Sequence, residues 1–535
     1  MPRLHLPLTL ALLLVLLPAA PAAGADAIGG LLREALAAAP LAPADDADAL
    51  LRALYAARAE RPLWLTRSGR PTRQAVALIE QFDHADRLGL DGDAYEAGQW
   101  PQRQAALATA EPAAQVAFEL ALSRTALRLV QHLQHGRVDP RRLGLDLDRG
   151  AADPLHPLQA LAVSDDTAAV LAALEPPFPG YLRLRRALPG YVDLARRADT
   201  IALPPLPARV LEPGMTYAGT ALLADRLRQL GDLADADATA EPPAAYDGAV
   251  VAAIERFQQR HGLQADGRIG PLTWAALSTP LSHRVDQIRL ALERWRWAPR
   301  EFARPPIVVN IPEFRLRAIG DDGRVGFETE VVVGRSFRRQ TPVFAELLRS
   351  VVFQPSWHVP TSIVRRDLVP KAERDPGYLA RHGYRIVGRD DQTVTAGVLE
   401  ELRGGRLGLR QLPGPDNSLG AVKFLFPNDH SVYLHDTPAT ALFAHARRDF
   451  SSGCVRLRDP GGLAEWVLRN QPDWPPQRIR AALAGGPDDL TVAVVPPIPV
   501  FLVYVTAVAP ESGGLHFFAD IYGHDATLLR VLQER

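Results

Sequence analysis

The chain contains a single cysteine, Cys454, among its 535 residues. One cysteine cannot form a disulfide within the chain, and it excludes the structural zinc sites that need several thiolates. An excess of charge of one sign is also missing, because 60 Lys and Arg nearly balance 61 Asp and Glu. With a net charge of −1, no overall field attracts the chain to nucleic acid or to an anionic membrane.

Long apolar runs are missing after the first 25 residues, so no later segment predicts a membrane-spanning helix. Residues 1–25 combine a weakly basic start, an apolar stretch from Leu6 to Leu17 and small residues near Ala25. This pattern predicts a cleaved signal peptide and hence an exported protein. The alternative is an uncleaved N-terminal membrane anchor, although the apolar stretch is short for a span of about 20 residues.

The length predicts two to four domains, and the apolar periodicity divides the chain into regions of different character. Residues 26–206 are rich in Ala and Leu at helical spacing, and residues 207–280 form a small helical module. Residues 281–535 begin with a helix and change to short strand-like runs from Ile307 onward, interrupted by a polar, helical insertion at 361–419. We therefore predict a multidomain α+β protein whose C-terminal domain is a mostly antiparallel β-sandwich or barrel.

The cysteine follows a histidine-bearing segment in a pattern that suits covalent catalysis. The β-formers before His435 predict that it ends a strand, 439–448 predicts a short helix, and 451–453 predicts a tight turn before Cys454. A thiol needs a neighbouring base, because the thiolate is the nucleophile. We interpret Cys454 as the nucleophile, His435 as its base and Gly453 as a flexible turn residue whose neighbouring amides stabilise an oxyanion.

Other interpretations of these residues exist. An isolated cysteine is often a small buried apolar side chain, but an unpaired cysteine in an exported protein indicates a reactive thiol. His358 and His445 are rival candidates for the base, and the strand-end position favours His435. His132 and His135 have no third ligand in register, so we expect no metal site there. We also expect no organic cofactor, because a thiol and an imidazole supply the nucleophile and the acid and base.

Two motifs carry a resemblance to a known family. The run Tyr-Leu-His-Asp-Thr-Pro from Tyr433, followed by Phe-Ser-Ser-Gly-Cys-Val-Arg up to Arg456, resembles the signature of the L,D-transpeptidases with the YkuD fold. It is most similar to their large periplasmic subfamily, which shares Ser452 where many members have a histidine. The resemblance implies that Arg456 meets a substrate carboxylate and that Ser451, Ser452, Tyr433 and Trp357 contribute to substrate binding. For Tyr433 and Trp357, a purely structural role as core aromatics stays open.

The other regions resemble parts of the same subfamily. The run from Phe257 to Trp274 is similar to the three-helix peptidoglycan-binding domain, although most of its motif residues build that fold and do not touch glycan. Residues 26–206 resemble the helical scaffold domain, and residues 361–419 resemble the insertion that caps the catalytic cleft.

The resemblance implies a periplasmic enzyme of peptidoglycan biosynthesis, cell-wall organization and cell shape. It would form 3→3 crosslinks between stem peptides through a cysteinyl thioester. Three alternatives stay open: an L,D-carboxypeptidase, an enzyme that anchors a lipoprotein to the wall, and a non-catalytic wall-binding scaffold. Its expected partners are stem peptides and proteins of wall synthesis or a lipoprotein, and the sequence does not indicate an oligomeric state.

Overall fold

A computed structural model describes residues 23–38, 47–148, 150, 152–234, 245–300, 302, 304–337 and 339–534. The predicted signal peptide lies outside the described residues up to position 22. The chain divides into two compact units. One takes the residues up to 85, 91–131 and 153–174, and the other takes 86–90, 132–152 and 175 to the C-terminus.

The first unit is helical, as the Ala- and Leu-rich periodicity predicts. Its helices, of which the fifth continues beyond the unit, are α1 (Ala23–Ala38), α2 (Ala47–Ala57), α3 (Arg73–Asp83), α4 (Trp100–Ala106), α5 (Pro112–His135), α6 (Leu155–Val163) and α7 (Thr167–Ala173). The fully buried carboxylate of Glu119 in α5 accepts hydrogen bonds from the Tyr55 hydroxyl and from the backbone N–H groups of Leu63 and Trp64. This network ties the turn after α2 to the central helix.

Five helices precede the strands of the second unit, and three of them form a separate module. They are α8 (Pro179–Ala198), α9 (Thr220–Gln229), α10 (Gly248–Arg260), α11 (Pro271–Leu277) and α12 (Leu281–Trp295). Helices α9–α11 enclose their own apolar core, in which Leu223, Ile254 and Phe257 are buried. This three-helix module corresponds to the region predicted at 207–280. Helix α12 follows it and leads into the β-domain.

The strands of the second unit form one large sheet and two small ones. The strands are β1 (Ile307–Asn310), β2 (Arg315–Ile319), β3 (Val325–Gly334), β4 (Phe344–Phe353), β5 (Trp357–Val359), β6 (Tyr384–Val387), β7 (Gly408–Gln411), β8 (Val422–Leu425), β9 (Leu434–His435), β10 (Asp449–Ser451), β11 (Val455–Leu457), β12 (Leu490–Val503), β13 (Ala507–Val508) and β14 (His516–Phe517).

The large sheet has the order β10-β3-β11-β9-β8-β4-β12-β1-β2, and an additional β3–β2 pairing closes it on itself. Most pairings are antiparallel, whereas β1–β12, β9–β11 and β3–β10 are parallel. In its pairing with β4, the long strand β12 has a register shift between Ala493 and Ile498. The mostly β C-terminal domain is therefore confirmed, as a closed sheet.

The insertion at 361–419 is less helical than its sequence suggests. It contains α13 (Thr361–Ile363), a π-helical stretch at Val364–Leu368, α14 (Val369–Arg374), α15 (Tyr378–Arg381) and α16 (Ala396–Gly404). It also contributes β6 and β7 to a three-stranded sheet with β5, and it has a small apolar core around Leu368, Leu402 and Leu409. Four-residue strands give too short a period-two signal to be distinguished from polar helix ends.

The last helices are α17 (Pro460–Leu468), α18 (Pro476–Ala484) and α19 (His524–Gln533). Within the described ranges, no helix combines the length and the apolar character that crossing a bilayer requires. The same described residues contain no cluster of three or more His, Cys, Asp or Glu side chains that suits a metal ion.

Candidate active site

The register of two parallel strands brings the predicted nucleophile and base to one face of the large sheet. Strand β11 pairs with β9 so that Val455 lies opposite Leu434 and Arg456 lies opposite His435. Leu434 and Val455 point into the buried apolar core. Because side chains alternate between faces, His435 and Arg456 lie on the other face, and Cys454 joins them as a diagonal neighbour of His435.

The segment between the two strands is less helical than expected. Only Thr440–Ala444 forms a helix, of the 3-10 type, and strand β10 follows. The buried Arg448 prevents a longer helix, because its guanidinium donates to the backbone oxygens of Val331 and Phe314 at 3.3 and 3.2 Å. These contacts hold the chain extended beside β3 just before the cysteine turn.

The cysteine turn is held from inside by Ser451. This buried hydroxyl donates to the backbone oxygen of Cys454 at 2.6 Å and accepts the N–H of Gly453 at 3.1 Å. Gly453 has φ +125°, which a residue with a Cβ rarely adopts. The Gly453 amide is therefore engaged with Ser451, whereas the Cys454 amide has no hydrogen-bond partner among the described residues. We regard the Cys454 amide as the better-placed oxyanion donor.

Burial and hydrogen bonding set the proton affinity of the two reacting groups in opposite directions. Burial raises the pKa of the Cys454 thiol, and hydrogen bonds from the backbone and hydroxyl of Tyr433 and the charge of Arg456 only partly oppose this. Burial, the charge of Arg456 and, more weakly, that of Lys423 lower the pKa of His435 to about 3. At neutral pH the free site therefore holds a neutral thiol beside a neutral imidazole.

The tautomer of His435 is fixed by the backbone. Its ring is 4% exposed, and Nδ1 lies 2.5 Å from the backbone oxygen of Asp436. Because a carbonyl oxygen only accepts, Nδ1 carries the hydrogen and Nε2 keeps the lone pair that a base needs. The Asp436 carboxylate accepts the backbone N–H of Ala421 at 2.8 Å, which fixes this segment against β8.

Two aromatic residues connect the cysteine to the insertion. The Tyr433 side chain lies close enough to the Cys454 thiol and to Trp357 for both to influence the pKa of its hydroxyl, and its ring lies 5.7 Å from that of His435. Both Tyr433 and Trp357 are half-buried. Trp357 belongs to β5, at the edge of the small sheet of the insertion. The two rings thus form a wall beside the thiol.

Arg456 is not part of a surface ion pair with its acidic neighbours in sequence. Asp449 pairs with Arg447, and Asp459 accepts the N–H of Gly462 at the start of α17. Within the described part of the chain, the buried Nε of Arg456 has no hydrogen-bond partner. The guanidinium lies next to Cys454 and His435, and its Nε–H is available to a ligand.

The rival histidines lie elsewhere. His358 is exposed in β5, where alternation directs it away from the face that Trp357 occupies. His445 is exposed and packs edge-on against the ring of Phe450, at 5.5 Å between centroids. The structure thus brings together Cys454, His435, Tyr433, Trp357 and Arg456, with Ser452 exposed at the edge of the turn.

Several residues of the site were not identified from the sequence. The buried Thr341 accepts the N–H of Gly334 and donates to the backbone oxygen of Gly453 at 2.7 Å. Lys423 lies opposite His435 in the β8–β9 pair. Arg366 of the insertion donates to the Ser452 hydroxyl at 3.3 Å. No local signal marks these residues, because strand register and the insertion alone bring them to the turn.

Comparison with protein families gives three matches. Residues 304–480 match the model of the YkuD L,D-transpeptidase catalytic domain. Residues 49–188 match a scaffold domain, and residues 217–277 match a peptidoglycan binding domain. The catalytic match ends at 480, before β12, although β12 lies between β4 and β1 in the closed sheet.

Among curated proteins, the chain is similar to one from Haemophilus influenzae that is named "Putative L,D-transpeptidase". The two are 36% identical over 222 residues, which is 41% of this chain. The match spans 44% of the relative's length.

Proposed function

Because residues 304–480 belong to the family of YkuD L,D-transpeptidase catalytic domains, we propose that the chain is a peptidoglycan L,D-transpeptidase that forms 3→3 crosslinks. The observation that carries this proposal is that Cys454 directly precedes β11, whose parallel neighbour β9 holds His435 opposite Arg456. The proximity of the Tyr433 side chain to the thiol supports it further.

The first half-reaction makes an acyl-enzyme. The Cys454 sulfur attacks the carbonyl carbon that joins the third residue of a donor stem, meso-diaminopimelate, to its terminal D-Ala. Nε2 of His435 takes the thiol proton and then gives it to the departing D-Ala nitrogen, so that the peptide C–N bond breaks and a thioester forms. The Cys454 amide stabilises the oxyanion of the tetrahedral intermediate.

The second half-reaction returns the enzyme to its starting state. The side-chain amine of a second stem attacks the thioester carbonyl, His435 accepts its proton, and the sulfur leaves to regain the thiol. Water in place of the amine would give a carboxypeptidase, and a lipoprotein lysine would give an anchored protein. The exposed side of Tyr433 and Trp357 leaves room for a peptide acceptor beside the thiol.

The other matched regions support a location at the cell wall. A peptidoglycan binding domain match at 217–277 favours action in the periplasm, where stem peptides are found. We propose stem peptides as the substrate, with the wall as the site of action. Residues 1–22, which carry most of the predicted export signal, lie outside the described residues.

The proposal is tested by incubating the purified full chain with a disaccharide tetrapeptide and resolving the products by mass spectrometry. We expect 3→3 crosslinked dimers, release of D-Ala and an acyl adduct on Cys454. Cys454→Ala is expected to fold and to form neither adduct nor dimer. Tripeptide without dimer would identify a carboxypeptidase. Dimers formed by Cys454→Ala at more than a few per cent of the wild-type rate would contradict the assignment of the nucleophile.

A further inference from the structure

Arginines from two segments contact the cysteine turn. Arg366 comes from the π-helical stretch of the insertion, and its Nη2 donates to the exposed Ser452 hydroxyl at 3.3 Å. Arg335 comes from the end of β3. Its backbone N–H donates to the oxygen of Ser451, and its Nε donates to that of Phe450. Two separate segments thus place guanidinium groups next to the residues before Cys454.

Arg339 completes this basic rim, which we define as Arg335, Arg339 and Arg366. Arg339 is half-buried. Burial lowers the pKa of its guanidinium; the positive charges of Arg366 and Arg335 lower the pKa further, and the carboxylate of Asp367 opposes this. The guanidinium of Arg339 therefore lies near both other groups of the rim.

Negative charge near the rim is scarce. Asp367 neighbours the rim and is bound in bidentate fashion by Arg366, with hydrogen bonds of 2.8 and 2.6 Å. Within the described ranges, neither Arg335 nor Arg339 forms an ion pair with a carboxylate of the chain. Arg456, deeper at the thiol, adds a fourth guanidinium that the charge of Arg335 influences. Such a concentration of like charge destabilises the folded chain unless an anion neutralises it.

We propose that the basic rim binds free carboxylates of the peptide substrate, so that the site selects stems with at least two free carboxylates over their carboxamide forms. This inference rests on the proposed function and extends it from the reaction to the charge state of the substrate. A planar guanidinium donates two parallel hydrogen bonds to a carboxylate. A carboxamide offers one acceptor, carries no charge and places an N–H₂ group against the arginine donors, which leaves some of them unpaired.

The positions of the arginines predict different roles for Arg456 and for the rim in substrate binding. Arg456 lies beside the thiol, and we assign to it the carboxylate nearest the reacting carbonyl. Arg366 and Arg335 contact the residues before Cys454, and we assign to the rim the groups further along the peptide. We expect the rim to act through substrate binding and Arg456 to act on the residue that reacts.

The test compares two donor peptides that differ only in the replacement of free carboxylates by carboxamides. Full-length wild-type enzyme is expected to favour the free-carboxylate peptide at least about tenfold in kcat/KM. In Arg339→Gln, Arg366→Gln and the double variant, this ratio is expected to fall towards one. The matched control is Arg365→Gln, because exposed Arg365 precedes Arg366 and bonds the backbone oxygen of Arg403. Its ratio is expected to equal that of the wild type.

Equilibrium binding of both peptides to Cys454→Ala by calorimetry separates this inference from the proposed reaction. If Cys454→Ala prefers the free-carboxylate peptide and the triple variant Cys454→Ala/Arg339→Gln/Arg366→Gln does not, the role of the rim is supported. This holds even if the wild-type enzyme transfers neither peptide, because that result contradicts only the proposed reaction. Equal binding of the two peptides, or an undiminished preference in the rim variants, overturns the inference. Raising the salt concentration should reduce the preference, since exposed charges are screened.

Discussion

At the residue scale, the thiol and the imidazole start the reaction as neutral groups. Burial opposes charge on both, and the cations Arg456 and Lys423 add to the penalty on the imidazolium form of His435. A resting thiolate–imidazolium pair is therefore disfavoured. The proton must move as the sulfur attacks, and a substrate carboxylate at Arg456 would ease this step by neutralising the nearest positive charge.

The rate at which iodoacetamide alkylates Cys454 reports the protonation state of its thiol directly. Because only the thiolate reacts and the pKa of the thiol is raised, we expect the half-maximal rate above pH about 8.5, the ordinary value for cysteine. Tyr433→Phe removes a hydrogen bond that favours the thiolate, so its midpoint should lie at still higher pH. An unstructured cysteine peptide serves as the control. A wild-type midpoint below that of the peptide would contradict the neutral pair.

The identity of the base is tested by comparing histidine variants. His435→Ala is expected to lower the transfer rate by about 10²- to 10⁴-fold, because Nε2 is lost as proton acceptor. His445→Ala and His358→Ala serve as controls and should stay close to wild type, since both side chains are exposed and the ring of His445 packs against Phe450. If one of these controls loses as much activity as His435→Ala, the base has been assigned wrongly.

For Arg456→Lys we expect turnover to fall about tenfold, the equivalent of one charge-assisted bond of ~1.5 kcal/mol, with a nearly unchanged melting temperature. The reason is that Arg456 has no carboxylate partner among the described residues, so its charge is available to substrate. Arg458→Lys is the matched control, because Arg458 is exposed and pairs with Glu330. A large drop in melting temperature with normal turnover of the folded fraction would make Arg456 structural.

At the scale of elements, the cysteine turn depends on the loop between β3 and β4. Thr341 in this loop is fully buried, and its hydroxyl bridges the N–H of Gly334 and the backbone oxygen of Gly453. Tyr522 supports the same loop by accepting the N–H of Thr341 at 3.2 Å. The position of Gly453 and therefore of Cys454 is set by a side chain 112 residues away in the chain.

Thr341→Val keeps the shape of the side chain and removes the hydroxyl. The oxygen of Gly453 and the N–H of Gly334 then lose their partner, which should cost about 1–3 kcal/mol per buried group and lower both melting temperature and kcat. Thr341→Ser retains the hydroxyl and should recover most of the turnover. If Thr341→Val and Thr341→Ser were equally active, the bridge would have no part in positioning the nucleophile.

At the scale of the whole molecule, the three-helix module is part of the unit that carries the catalytic sheet. Arg260 of α10 binds the carboxylate of Asp232 and donates to the backbone oxygen of Leu515 at 3.1 Å. The buried ring of His261 stacks on Phe257 at 3.8 Å and faces Phe517 of β14 at 5.9 Å. The motif residues of the module thus build its own fold and its junction with the β14 region.

Arg260→Ala is expected to destabilise the catalytic domain along with the module. The change leaves the buried carboxylate of Asp232 without its partner, which typically costs about 3–5 kcal/mol. The measurement is thermal unfolding followed both by circular dichroism and by residual transfer activity. Arg268→Ala breaks an exposed pair with Glu212 in the same module and should change stability by less than ~1 kcal/mol. An unchanged melting temperature in Arg260→Ala would mean that the module folds independently.

The sequence by itself determined the domain composition and the β character of the catalytic domain, and it predicted Cys454 and His435 as the reactive pair. These features leave local signals: the period of apolar residues, the turn residues before Cys454 and the β-formers before His435. The three strands of the small sheet were missed, because strands of three or four residues give no periodic signal of their own and gain their stability from pairing with one another.

Only the tertiary structure decided how the site works. Strand register placed Arg456 and Lys423 on either side of His435. The β3–β4 loop supplied Thr341, β5 supplied Trp357 and the insertion supplied Arg366. Charge, burial and hydrogen bonds act over a few ångströms in space, and the residues that meet at Cys454 lie up to about a hundred positions apart in the chain, so no local pattern could contain them.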